Sequence, residues 1–518
     1  MNVLLLSMPD SFEHMPAVAI RMPNGALASL AGNIDPHHRV AIADLILVQT
    51  RVRSTIERLI RDVEPDVVGL SVMTFQRATA LKIARLIHAL RPSARIVVGG
   101  YDPSLATEAF EACPDVDFIV RGEGEQTLCE LLRAIEDRGP ARAALRSIGG
   151  LSYRDGTRFV HNAPRPVIPL ASAALRLPNR DARVLQGYTL LGRTVDVVET
   201  SRGCTYDCSF CSIIEMRGRN FHPYAIDRVL ADIADARAHG AEAIFLVDDN
   251  ITLDVARFEA LCRAIIESGF NDAEYFVQAM TAPIAQHGAR LAPLMRQAGF
   301  RYVFLGIENV LDEDLGFLRA RAKNAWREKG RTIGNASIEA IEHLHRHGMY
   351  VVGGLIVGNP NDTRESIEAN LAFARRYVDW PYIQHPTPYP RTPMTRDFRE
   401  RDLIVDEDVS HYDGTTAVVR SAHVSAEEIE FLRWRAERWM KMKHFPAAFF
   451  HSPLFVLRHG RQMLAHTFTG SSLRSFLGLE DEAAVFARFR AQRRAERDYL
   501  RLEPQELTPA PAPAHQAA

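Results

Sequence analysis

The sequence predicts an α/β protein: an N-terminal Rossmann-like sheet domain, a partial (β/α)6 TIM-like barrel and a helical C-terminal region. Three observations predict it. Short apolar runs alternate with helical patterns over residues 1–138 and again over 191–395, and such alternation implies parallel sheets covered by helices. From 396 to 503 the pattern is helical alone. The length, 518 residues, suits about three domains.

In the first series the strand candidates are Asn2–Leu6, Arg39–Ala43, Val67–Ser71, Ile96–Val98 and Phe118–Val120, with helical patterns at Ala78–Leu90 and Gln126–Glu136. Gly99-Gly100 and Gly122–Gly124 follow strands, at the sheet edge where open α/β folds bind ligands. Residues 139–190 read as a connector with a hairpin over Gly150–Phe159, turned at Asp155-Gly156. Pro164, Pro166 and Pro169 then interrupt regular structure. The second series offers Val195–Thr200, Ala243–Val247, Tyr275–Gln278, Tyr302–Gly306, Val351–Val357 and Tyr382–Thr387, separated by helices such as Ile226–His239 and Val255–Ser268. Functional residues of a barrel lie at the carboxyl ends of its strands. The C-terminal region opens with the helical pattern Ser425–Lys443, and the Pro- and Ala-rich tail 504–518 is expected to be disordered.

Composition excludes several classes. Hydrophobic residues are 47% and charged residues 24%, which rules out bulk disorder. Lys+Arg 62 against Asp+Glu 64 leaves −2, so no overall field draws nucleic acid, and no nucleic-acid partner is expected. No apolar run reaches the roughly 18 residues of a membrane span, and MNVLLLSMPDS reads as a buried strand rather than a signal peptide, so the expected compartment is the cytoplasm. Six cysteines are too sparse for a disulfide scaffold.

Three of those cysteines fall in one loop. Cys204, Cys208 and Cys211 have the spacing C-x3-C-x2-C directly after the strand Val195–Thr200. Three thiolates on a short loop converge on a metal. A structural zinc wants four ligands, with His222 the only close candidate for the fourth. A four-iron cubane held by three cysteines keeps one iron open for chemistry. Cys113, Cys129 and Cys262 sit in isolated helical patterns and read as core.

The loop, with Phe210 before its last cysteine, resembles the signature of the radical S-adenosylmethionine superfamily. The resemblance implies a [4Fe–4S] cluster on Cys204, Cys208 and Cys211, whose open iron chelates S-adenosylmethionine and cleaves it to a deoxyadenosyl radical. Further segments match in order. Val247-Asp248-Asp249-Asn250 ends the second strand, where the family contacts the cosubstrate amino group, and Asp248 is assigned there. Glu308, in Gly306-Ile307-Glu308-Asn309, is the expected ribose ligand; its alternative is a helix-start carboxylate. Gly354 and Gly358 fit the pattern G-x-I-x-G beside the adenine, and Gln278 faces the same pocket or packs.

The first domain resembles the cobalamin-binding domain that precedes the barrel in one large subclass. The carrying segments are Gly69–Thr74, Val98–Tyr101 and Arg121–Glu125, so the expected contacts are Ser71, Met73, Thr74, Gly99, Gly100, Gly122, Glu123 and Gly124. A cobalt-ligating Asp-x-His-x-x-Gly is missing; Asp35-Pro36-His37-His38 lacks the glycine. The resemblance therefore implies cobalt without a protein histidine, its lower face against Met73–Gln76. A degenerate domain that binds nothing is the alternative. No G-x-G-x-x-G follows the first strand, as a nucleotide-binding domain would require.

Trp434 and Trp439 share a helical pattern with Arg433, Arg435, Arg438, Lys441 and Lys443, read as an amphipathic helix on the barrel with a solvated basic face. Membrane contact is not predicted; for a lipid substrate this region would be an entrance. Arg488–Arg501 also reads as a solvated face. The implied function is cobalamin-dependent radical methylation of an unactivated carbon in a small molecule, lipid or natural-product precursor, with an external electron donor such as flavodoxin or ferredoxin. The alternatives are oxidative cyclisation or rearrangement, and more remotely a non-catalytic cobalamin or redox sensor. Substrate-side candidates are His385, Tyr389 and Arg391, which read equally as a proline-stiffened loop.

Overall fold

The computed structural model describes residues 1–12, 20–137, 142–170, 175–328, 331–451, 453–477 and 479–501. The expected disordered tail lies outside them.

The first sheet has seven strands in the order Arg39–Asp44, Asn2–Ser7, Val67–Ser71, Arg95–Gly99, Phe118–Val120, Leu151–Asp155, Arg158–His161. The first five are parallel. They are buried on both faces, so they are apolar runs rather than alternations: Val3, Leu4, Leu5 and Leu6 are all inaccessible. Helices Val52–Val63 and Arg77–Leu90 cover one face, and Gly25–Asn33 and Glu125–Glu136 the other. In sequence order the parallel strands run 2-1-3-4-5, which opens a crevice at the carboxyl ends of Asn2–Ser7 and Val67–Ser71.

The hairpin placed in the connector belongs to this sheet. Leu151–Asp155 pairs antiparallel with Phe118–Val120, because its inward side chains Leu151 and Tyr153 complete that face of the core. Asp155 opposes Arg158, so the two-residue loop is Gly156-Thr157, one residue later than Asp155-Gly156. Further on, residues 182–184 run beside the edge strand Arg39–Asp44, where the Ile42 N–H donates to Ala182 O at 2.7 Å and the Val184 N–H donates to Ile42 O at 2.9 Å.

The second sheet contains the six expected parallel strands, observed as Arg193–Val198, Ala243–Leu246, Glu274–Met280, Phe300–Glu308, Tyr350–Ile356 and Trp380–Gln384. The last begins two residues earlier than expected and ends before Pro386, which has no N–H to extend the ladder. Two short strands, Thr189–Leu190 and Ile20–Arg21, add to the first edge. The second of these comes from the N-terminal domain and ties it to the barrel. Among the described residues no strand closes the six-strand barrel. Helix Ala426–His451 packs on the strand Trp380–Gln384.

The C-terminal basic residues are only partly solvated. Trp434 is buried and meets Phe486 at 5.3 Å between ring centroids, whereas Trp439 is exposed. Arg490, Arg493 and Arg494 reach Glu427 at 2.7 Å, Asp413 at 3.0 Å and Glu430 at 2.9 Å. The face expected to be solvated is thus partly an ion-paired seam, because carboxylates of another helix and a loop lie opposite it.

Candidate active site

Cys204, Cys208 and Cys211 line one cavity of about 880 Å³ inside the barrel. The chain leaves the first barrel strand, pairs Ser201–Arg202 with His222–Pro223, and turns at Gly203. Gly203 has φ +89°, and a Cβ there would lie 2.4 Å from Asn220 O, so the entry to the loop requires glycine. The loop is then anchored from behind: the Ser209 N–H donates to Leu318 O at 3.0 Å, and the Met394 N–H to Ser209 O at 2.9 Å. Burial pushes the Cys208 thiol up to about 11 and that of Cys211 to about 12, so loading a metal at neutral pH must expel protons. Three cysteines on the wall of one cavity, beside open space, suit a cubane with one open corner. His222, the candidate fourth zinc ligand, does not line this cavity.

The acidic string after the second strand divides its roles differently from expectation. Asp248 does not line the cavity. It is buried and accepts bonds from the Thr200 N–H and the Thr200 hydroxyl, each at 2.6 Å, and from the Ser201 hydroxyl. It braces the chain leading to the cysteines instead of facing the cosubstrate space. Its neighbours Asp249 and Asn250 do line the cavity. Asp249 accepts from the Gly203 N–H at 2.7 Å, and the Asn250 amide lies 3.8 Å from Cys204 Sγ.

Glu308, Gln278, Gly354 and Phe210 all line the cavity. Glu308 ends its strand at a register shift and has φ +60°, a costly conformation for a side-chain-bearing residue. Its carboxylate forms an ion pair with Lys323, whose Nζ is 5.7 Å from the Phe210 ring centroid. Burial opposes the Lys323 charge, but Glu308 outweighs that and holds it protonated. Lys323 carries no sequence signal, because it stands on the short helix Arg321–Asn324 with no motif around it. Gly358 does not line the cavity. It is a turn residue with φ +102° whose N–H donates to Asp362 Oδ2 at 2.8 Å, and an added Cβ would meet Ile429.

His385, Tyr389 and Arg391 line neither this cavity nor the next; Gln384 lines the first. His385 is buried, with Nδ1 3.2 Å from Val357 O. Burial first, and Arg433 second, push its pKa down to about 3. The unfolded chain therefore binds a proton that the fold refuses, and stability is expected to fall as pH drops from 6.5 toward 3. The upper bound is on the order of 5 kcal/mol. Denaturant midpoints measured across that range for wild type and His385→Gln check this: an unchanged slope in the variant would contradict it.

A second cavity, of about 430 Å³, lies at the carboxyl edge of the first sheet. Ser71, Met73, Gly99, Gly100, Gly122, Glu123 and Gly124 line it. Thr74 does not: it is buried at the start of a turn, and the residues after it, Phe75 and Gln76, line the barrel cavity. Gly100, at φ +107°, would put a Cβ 2.8 Å from Val72 O. Glu123 Oε1 and Arg217 Nε are buried without a hydrogen-bond partner among the described residues, which suits a large ligand edged with polar groups. No histidine is among the described residues lining either cavity. His37 and His38 precede the strand Arg39–Asp44, at the opposite end of the sheet.

Arg202 joins the two domains at this cavity. It donates to Glu199 at 2.7 Å in its own segment and to Glu125 at 2.6 Å in the first domain. Glu125 also accepts from the Ser29 hydroxyl at 2.7 Å. Burial alone would raise Glu125, but Arg202 and Ser29 more than offset it and hold the carboxyl at about 2. Met22, Phe245 and Asp249 line both cavities, which therefore adjoin.

Two family models match the chain: the B12 binding domain over residues 17–132 and the radical SAM superfamily over 198–374. An uncharacterized methyltransferase of Pyrococcus horikoshii is 28% identical over 439 residues, covering 84% of this chain and 91% of that one. The anaerobic magnesium-protoporphyrin IX monomethyl ester cyclase of Cereibacter sphaeroides is 25% identical, covering 78% and 63%. The structure of the radical S-adenosylmethionine methyltransferase TsrM from Kitasatospora setae, with cobalamin and a [4Fe–4S] cluster bound, superposes with a TM-score of 0.60 at 19% identity, covering 77% and 75%. The chain belongs to the radical S-adenosylmethionine enzymes that carry an N-terminal B12-binding domain, and these two domains imply a [4Fe–4S] cluster, S-adenosylmethionine and cobalamin.

Proposed function

We propose that this chain is a cobalamin-dependent radical methyltransferase acting on an unactivated carbon of a small molecule. The observation that carries the reading is the junction of the two cavities at Met22, Phe245 and Asp249, so that groups held in each would face a common space. The methyltransferase names among its relatives support the same reading. When bound, the cluster and S-adenosylmethionine supply one-electron chemistry, and cobalamin supplies a carrier for a methyl group.

The protein's part is to hold, orient and exclude. Cys204, Cys208 and Cys211 hold the cluster. Glu308, paired with Lys323, would accept bonds from sugar hydroxyls of the cosubstrate, while Gly354 would leave room for its base and Gln278 and Phe210 would border it. Asp249 and Asn250, rather than Asp248, are the polar groups that would border the cosubstrate beside the cysteines. In the first domain, Ser71, Met73, Gly99, Gly100, Gly122, Glu123 and Gly124 seat the corrin. An external one-electron donor such as flavodoxin or ferredoxin serves the cluster. Among the described residues no helix is long and apolar enough to cross a membrane, and we place the enzyme in the cytoplasm.

The test is incubation of the anaerobically reconstituted enzyme with methyl-labelled S-adenosylmethionine, a reductant and candidate substrates. Label should appear in the product together with deoxyadenosine. Deoxyadenosine formed alongside an unlabelled product two hydrogens lighter would instead establish oxidative cyclisation.

A further inference from the structure

The interior of a closed eight-stranded barrel is ordinarily filled by layers of its own side chains. Here the inward positions leave space along the whole strand length. Successive inward residues follow the two-residue alternation: Phe276 pairs in register with Tyr302, and Tyr302 with Tyr350, forming the layer furthest from the cysteines. Phe276 and Tyr302 stack at 4.3 Å between centroids. The next layers bring Phe304, Trp380 and Tyr382 into the wall. The Tyr350 hydroxyl is turned away to donate to Asp379 O at 3.2 Å. The cavity thus begins at the three cysteines, with Glu308, Lys323 and Asp249 around them, and ends among aromatic rings. A strand such as Tyr350–Ile356, seven residues long, spans about 20 Å.

The same cavity is walled on another side by the C-terminal helices, through Met442, Val456, Met463 and Leu464. These four side chains are apolar; of the polar ones beside them, Lys441 pairs with Glu437 at 3.5 Å and the Thr467 hydroxyl donates to Met463 O at 3.0 Å, and together they cover the gap left by the missing barrel strands. S-adenosylmethionine, with its charged amino acid, sulfonium and ribose, suits the cysteine end. The deep end is mostly aromatic surface, its polar groups being the Tyr302 and Tyr382 hydroxyls, so a charge or a densely polar guest placed there would lose most of its water without replacement.

We propose that the substrate is a neutral, extended, apolar molecule of the lipid or isoprenoid kind, lying along the barrel strands between the aromatic wall and the C-terminal helices. Its reacting carbon sits at the cysteine end. This assignment rests on reading the barrel cavity as the catalytic one. It gives the C-terminal helices the role of completing the substrate site.

The test is binding of N-phenyl-1-naphthylamine, a neutral apolar fluorophore, to the reconstituted holoenzyme. Saturable binding is expected, displaced by hexadecanol and not by tryptophan or ATP. Leu464→Trp and Met463→Trp, which fill the cavity from the helix side, should each weaken binding at least tenfold while iron–sulfur absorption stays at the wild-type level. Absence of saturable binding, displacement by the polar competitors alone, or unchanged affinity in both variants would overturn the proposal. Because the readout is binding, a failure of methyl transfer with this pattern intact would count against the proposed reaction and leave the substrate class standing.

Discussion

Alanine at Cys208 is expected to remove the iron–sulfur absorption of the reconstituted protein and to bring deoxyadenosine formation down to background. Cys208 is the buried middle member of the loop, 6% exposed, and its sulfur lines the cavity with those of Cys204 and Cys211. Two remaining thiols cannot hold three corners of a cubane. The fold itself should survive, because losing one small buried sulfur costs about 1 kcal/mol of apolar burial, and the loop keeps its anchors at Leu318 and Met394. Iron content, the visible spectrum and deoxyadenosine yield check this together. Wild-type iron with wild-type cleavage in Cys208→Ala would refute the cluster assignment.

Methionine at Arg202 should destabilise the protein by about 3–5 kcal/mol at neutral pH, the usual cost of removing one partner of a buried ion pair. Arg202 is 5% exposed and Glu125 7%, so the carboxylate left behind has no water to replace the guanidinium. The pH dependence has a definite sign. In wild type the folded Glu125 sits at about 2 against an ordinary 4.5, so its contribution is complete above pH 4.5 and is lost as pH falls toward 2. In Arg202→Met the stranded carboxyl prefers its proton, so the gap between variant and wild type should narrow in mild acid. Arg202→Met/Glu125→Gln should recover a large part of the loss. Denaturant midpoints at pH 7 and pH 5 for the three proteins measure this; a loss under 1 kcal/mol at pH 7 would mean the clamp is not a stabilising link between the domains. The variant should also loosen the entry to the cysteine loop, since Arg202 is two residues from Cys204.

The parts of the site that were legible in the sequence are those carried by local spacing. A C-x3-C-x2-C loop needs only a turn after a strand to set its cysteines on one cavity wall, and Gly203 supplies that turn. Strand ends were legible for the same reason, since the alternation of strand and helix says which end of each strand carries the loops. That placed Glu308, Gln278 and Gly354 on the cavity and seven of the eight residues expected at the first sheet's edge. The departures from the cavity walls share one cause. Asp248 and Asp249 are adjacent, and which of two neighbours turns inward depends on the partners that claim the other. Thr200 and Ser201 claim Asp248, leaving Asp249 for the cavity. Gly358 and Thr74 lie one step beyond the cavity for similar reasons. Lys323 could not have been found at all: its importance comes from Glu308, fifteen residues away in sequence and joined to it only by folding.

The sequence by itself determined two parallel sheets, the order of their strands along the chain, and the cysteine loop at the end of the first barrel strand. These follow from periodicity and from backbone turns, which act over a few residues. Tertiary structure alone decided that the connector hairpin extends the first sheet, that Arg202 clamps the domains through Glu125, that the two cavities meet at Met22, Phe245 and Asp249, and that C-terminal helices complete the barrel wall. Each of these is a contact between segments far apart in the chain, set by which buried surfaces and charges find partners, and no local pattern encodes that choice.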